Sequence, residues 1–194
     1  MLLGPGARLE VFLDQSNFYN GLKSQFGDGR YHFTNLVREV LRGRKLVGWN
    51  FYCGAVDAAL EPGAGKAQAF FHSYLQTTAR REGIPLNMRL RPIAYPPGFP
   101  HCARRPVEKG VDALLVQDVI VGAFDNRFDA ALIISGDRDF AAVVEFLKAR
   151  FPKIGVCTIF PNSRRHLYDL VSHCFDEWRL IDKHIYNRIK PTER

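Results

Sequence analysis

Short apolar runs alternate with stretches of helical period along nearly the whole chain. Arg8 to Leu13 predicts a buried strand ending at Asp14, and Asn17 to Phe26 a helix that Gly27 to Gly29 breaks. Thr34 is expected to cap a second helix whose apolar positions are Leu36, Val37, Val40 and Leu41. Lys45 to Val56 reads as a strand, Ala64 to Glu82 as a long helix stopped by Gly83, and Ile84 to Leu90 as a third strand. Five prolines and Gly98 make Pro92 to Pro106 a loop, long enough to suspect function. Lys109 to Phe124 and Phe140 to Phe151 read as helices, and Ala130 to Ser135 and Ile154 to Phe160 as strands. Ser163 opens a closing helix, and the basic tail from Lys183 to Arg194 is expected to fray.

Strands alternating with helices predict an α/β fold, a mainly parallel sheet covered on both faces. In such sheets strand C-termini and helix N-termini share one rim, where ligands bind. Four acids fall there. Asp14 follows the first strand, Asp137 and Asp139 follow the ALIIS strand, and Asp112 lies in the first turn of the helix before that strand. Like charges raise one another's pKa, so such a cluster calls for a cation, and Mg²⁺ prefers a few carboxylates plus phosphate and water oxygens. The capping alternative stays open, because Asp14 and Asp137 each precede a helix and Asp112 suits a helix N-terminus electrostatically. Asn17 completes D-x-x-N and can cap the helix or hold a phosphate, a water or a neighbouring Asp, while Ser135 offers an orienting hydroxyl. Asp118 shares a helix with Asp112 but points about 120° away and lies about 9 Å along it. Its helix is apolar nearly all round, so Asp118 is expected to be buried, paired and supporting.

Composition narrows the partner. The 194 residues are 46% hydrophobic and 24% charged, which excludes a disordered chain, a collagen-like repeat and a disulfide-dense miniprotein. A net charge of +7 suits a polyanion, nucleic acid ahead of a membrane. No apolar run reaches the roughly 20 residues of a membrane span, and MLLGPGARLE has no signal-peptide pattern, so a cytoplasmic protein is expected. The four cysteines form no C-x-x-C pair and read as free thiols; His101-Cys102 and His173-Cys174 are only a weak metal signal. Paired arginines flank several turns, at 80–81, 89/91, 104–105 and 164–165. Arg104, Arg105 and Lys109 lead into Asp112 and are the favoured substrate contacts, with Arg138 and Ser163 as further substrate candidates. Phe18 reads as core, whereas Tyr95 and Phe99 are candidates for stacking on unpaired bases. GAGKA at 63–67 imitates a P-loop, but Leu60 and Ala67 stand where Gly and Ser or Thr are needed.

DQSN (14–17), EKGVDALLVQD (108–118), ALIISGDRDF (131–140) and S-x-x-x-L (163–167) together resemble the NYN domain, in its LabA-like branch within the PIN-like nuclease superfamily. The resemblance spans residues 9 to about 178. It implies a three-layer PIN-like, Rossmann-like fold with strand order 3-2-1-4-5 and a Mg²⁺- or Mn²⁺-dependent ribonuclease site of one or two ions. It carries over Asp14, Asp112 and Asp137 as metal-binding carboxylates, Asp139 as a fourth and Asn17 as a supporting group. Gln15 stands where the family often has Gly, Arg138 where it often has a small residue, and His173-Cys174 where it usually has Ala-Asp.

The expectation is therefore one domain over residues 1–194, with a core at about 8–180, that hydrolyses RNA, single-stranded in the favoured reading. Self-association is left open. The rivals are a non-catalytic RNA-binding module with a vestigial acidic site and an aspartate-based phosphatase. Asp14-Gln15-Ser16 lacks the second Asp of D-x-D and weighs against the latter.

Overall fold

The computed structural model describes residues 4–161 and 174–191. Six strands form one all-parallel sheet: β1 (Arg8–Asp14), β2 (Lys45–Ala55), β3 (Leu86–Pro92), β4 (Ala130–Ile134), β5 (Gly155–Pro161) and β6 (Glu177–Ile181). Their order is β3-β2-β1-β4-β5-β6, the expected order with one strand added at the edge. The helices are α1 (Gln15–Phe26), α2 (Phe33–Leu41), α3 (Pro62–Glu82), α4 (Val111–Phe124), α5 (Ala141–Arg150) and α6 (Lys183–Ile189).

The two-residue period of β1 divides the core. Leu9, Val11 and Leu13 pack toward α1, α2, α3 and α6, whereas Phe12 packs toward α4 and α5. Fully buried Phe18 anchors α1 to the first layer. Leu115, Val119, Val144 and Leu147 close the second. Because every strand is parallel, all six C-terminal ends meet at one rim.

Three expectations change. His32, not Thr34, stands at the N-cap position of the helix at 33–41 and makes no capping bond, while Thr34 lies inside the helix, its buried hydroxyl without a partner among the described residues. The third strand runs two residues later, through Pro92, whose missing N–H costs nothing on an edge strand. The tail does not fray between Lys183 and Ile189. Asp182 caps α6 through the Ile185 N–H (2.8 Å), Ile185, Tyr186 and Ile189 are buried, and Tyr186 stacks on Phe26 with centroids 4.1 Å apart. Such a ring pair adds about 0.5–1.5 kcal/mol beyond its area burial. The helix expected to open at Ser163 lies outside the described residues.

Candidate active site

Asp14 ends β1 with only 4% of its surface exposed. Its Oδ1 accepts from the Asn17 N–H (3.1 Å), which caps α1 at Gln15, and its Oδ2 accepts from the Ser135 hydroxyl (3.0 Å). Ser135 Oγ in turn accepts from the Asp137 N–H (3.1 Å), and Asn17 Oδ1 accepts from the Gly136 N–H (2.8 Å). Asp137 Oδ1 takes the Asp139 N–H (3.0 Å) and caps the short 3₁₀ turn Arg138–Phe140. These bonds tie the end of β1 to the loop after β4. Asp14 and Asp137 thus cap their helices and face the rim as well.

Asp112 lies exposed in the first turn of α4, after Gly110 in the left-handed conformation (φ 75°). Glu108, just ahead of it, was not singled out from the sequence. Its Oε2 accepts from the Ser16 hydroxyl (2.9 Å) and from the Gly54 N–H at the end of β2. A Cβ on Gly54 would stand 2.5 Å from that oxygen and 2.7 Å from Ile93, so a glycine there lets the carboxylate reach the strand end. The available signals were a glycine at a strand C-terminus and the return of the Pro-rich loop, which the Ala94–Val107 bridge closes.

The carboxylates influence one another. Burial chiefly pushes Asp14 up to about 6; the bonds from Asn17 and Ser135 oppose this, and the charges of Asp112 and Glu108 add to it. Asp112, open to solvent on one side, is also raised, by its partial burial first and then by Asp137, Glu108 and Asp139. Among the described residues none of these five acids forms an ion pair. A buried carboxylate held above its ordinary range beside others fits a site that takes a cation, and an all-oxygen donor set suits a hard divalent one. Among the described residues no three Asp, Glu, His or Cys side chains, as they stand, are grouped for a metal ion.

Arg104, Arg105, Lys109 and Arg138 are exposed around this rim, without a carboxylate partner among the described residues. Tyr95 is committed elsewhere: its hydroxyl donates to Glu61 (2.7 Å) and accepts from the Asp57 N–H (3.1 Å), while its ring packs on Phe99. Ser163, Arg164, Arg165 and His173 lie outside the described residues. Asp118 is not part of the rim cluster. It is buried under α4, where it accepts a fork of two bonds from Arg89 (both 2.8 Å) and one from the Tyr52 hydroxyl (2.9 Å).

An open parallel sheet with helices on both faces and acids at its strand ends defines a three-layer α/β protein. The chain matches the NYN domain over residues 8–176 and belongs to that family, within the PIN-like nuclease superfamily. NYN domains are nuclease-like, and nucleases of this kind typically use divalent metals. No curated protein matches the chain. A crystal structure of a protein of unknown function from Vibrio parahaemolyticus is similar in fold. It has a TM-score of 0.66 and 18% identity over 92% of this chain and 94% of that one. Among the described residues no helix is long and apolar enough to cross a membrane.

Proposed function

We propose that this chain is a metal-dependent ribonuclease that hydrolyses phosphodiester bonds of single-stranded RNA at the acidic rim. The observation that carries the reading is the group of Asp14, Glu108, Asp112, Asp137 and Asp139, which lack a cationic partner among the described residues; burial and then the neighbouring carboxylates raise the pKa of Asp14 and Asp112. Asp14, Asp112, Asp137 and Asp139 would hold Mg²⁺ or Mn²⁺, one ion or two, with their side chains drawn together by the cation, and Glu108 would add negative charge from the β2 side. When bound, the cation neutralises phosphate charge and favours attack of water on phosphorus. Water adds to phosphorus, the bond to the ribose 3′ oxygen breaks, and that oxygen takes a proton, leaving a 5′-phosphate on the other product. Asn17 fixes the Gly136 loop, and Ser135 holds Asp14 and Asp137 in register. Arg104, Arg105, Lys109 and Arg138 track the RNA backbone.

The test is labelled single-stranded RNA incubated with the protein and Mn²⁺, Mg²⁺ or EDTA, alongside Asp112→Asn. Cleavage that needs the metal and is lost in the variant is the expected result. RNA binding without cleavage under any metal condition favours the non-catalytic module instead.

A further inference from the structure

At the end of the sheet opposite the acids, the outer faces of α4 and α5 carry an aromatic patch. α4 starts at the rim with Val111 and runs down to Phe124, just ahead of β4. Phe124 is 58% exposed, Val121 43% and Phe146 41%. Phe151, just beyond α5, holds them together, with its ring edge-on to Phe124 at 4.9 Å and to Phe146 at 6.3 Å. From Ala113 to Phe124 the only charged residue is Asp118, which is turned inward. On α5 the charged side chains Glu145 and Lys148 face away from the patch, toward Cys174 and Asp176 near β6. Single exposed apolar residues are ordinary, whereas a contiguous aromatic patch on two helices marks an interaction surface.

The charges at its margin indicate what covers it. Asp125 follows Phe124 at the end of α4, and Arg150 ends α5 with its guanidinium 5.8 Å from the Phe151 ring. Neither has an ion-pair partner among the described residues. An uncharged centre with one negative and one positive end is self-complementary under a two-fold rotation. We propose that the α4–α5 patch binds a second copy of this chain. The end of α4 then lies on the end of the other copy's α5, so Asp125 meets the second copy's Arg150 twice and the rings of Phe124, Phe146 and Phe151 interlock. The two acidic rims point away from each other, and the inference does not rest on the ribonuclease reading.

Sedimentation velocity on the full chain, from micromolar to hundreds of micromolar protein, tests this. The expected result is a concentration-dependent monomer–dimer equilibrium. Phe124→Ser is expected to weaken it about tenfold or more, as for a buried interface anchor. Asp125→Arg alone and Arg150→Asp alone weaken it too, and the two together restore it. Unchanged thermal melts show that these surface variants fold. A chain that stays monomeric throughout, whatever else the patch then captures, overturns the proposal. So does a dimer indifferent to Phe124→Ser, and so does a double charge reversal that fails to restore pairing.

Discussion

Asp112 and Asp118 stand six residues apart on one helix and meet opposite surroundings. Asp118 is closed in by Arg89 and the Tyr52 hydroxyl, so its charge is answered within the fold. Burial, and then Asp118 itself, push the Tyr52 hydroxyl well above its ordinary range, which keeps it a donor. Asp112 has no such partner among the described residues, and its neighbours Asp137, Glu108 and Asp139 raise its pKa. A carboxylate satisfied by the fold supports structure, whereas one left facing others of its kind supports binding at the cost of stability.

The sharpest way to break this contrast is Asp112→Asn. RNA cleavage should fall at least a hundredfold, about the upper range for groups that merely support a metal site. The melting temperature of the metal-free protein should hold or rise, because a repulsion is relieved. A variant that cleaves normally would place Asp112 with Asp118 as a structural acid.

Next in size is the pH dependence of Asp14. Its folded-state pKa, about 6, lies above the ordinary 3.8. Its contribution is therefore present below about pH 4 and is lost as pH rises through 6. A shift of about two units corresponds to about 2–3 kcal/mol. In metal-free protein the stability of Asp14→Asn relative to the parent should therefore rise by about that amount between pH 4 and pH 7.5. Thermal melts across that range check it. Mn²⁺ should raise the parent's melting temperature and leave the variant's nearly unchanged.

Asp118→Asn should act in the opposite sense. It leaves the exposed Arg89 and the buried Tyr52 hydroxyl less well partnered, a loss of about 1–3 kcal/mol by denaturant melts. The cleavage that remains should still depend on metal. A fully stable but inactive variant would move Asp118 into the reacting site.

How far each region could be read from the sequence follows the same physics. The rim aspartates were legible because strand ends and helix starts carry strong local signals, as at Asp14, Asp112 and Asp137. The inward turn of Asp118 followed from helix periodicity, but its partner Arg89 did not, because it comes from an edge strand 29 residues earlier. Glu108 was hidden because it lies in a loop, and only contact with Ser16 and Gly54 brings it to the rim. β6 and α6 were missed for a related reason. Glu177–Ile181 is a half-buried edge strand with weak alternation, and α6 is held by residues far away in sequence. Phe26 stacks on Tyr186, and Glu39 binds both Arg179 and Arg188. Lys183 to Ile189 taken alone shows mainly its charge.

The smallest expected effect separates two kinds of arginine. Arg89 is committed to Asp118, whereas Arg104 and Arg105 are exposed beside the rim with no carboxylate partner among the described residues. Each phosphate contact to single-stranded RNA releases condensed counterions and adds about 0.7 to the slope of log affinity against log salt. Replacing both Arg104 and Arg105 by alanine should therefore flatten that slope by about 1.4. Stability should stay within about 0.5 kcal/mol, as for exposed side chains outside any network. Arg89→Ala should do the reverse, lowering stability because Asp118 loses its fork while the salt slope barely moves. Fluorescence anisotropy with labelled RNA at several salt concentrations, paired with melts of the same variants, reads both quantities. If Arg104→Ala with Arg105→Ala leaves the slope unchanged, RNA does not cross this side of the rim. If Arg89→Ala flattens the slope as much, then the strand edge, not the loop, carries the phosphate contacts.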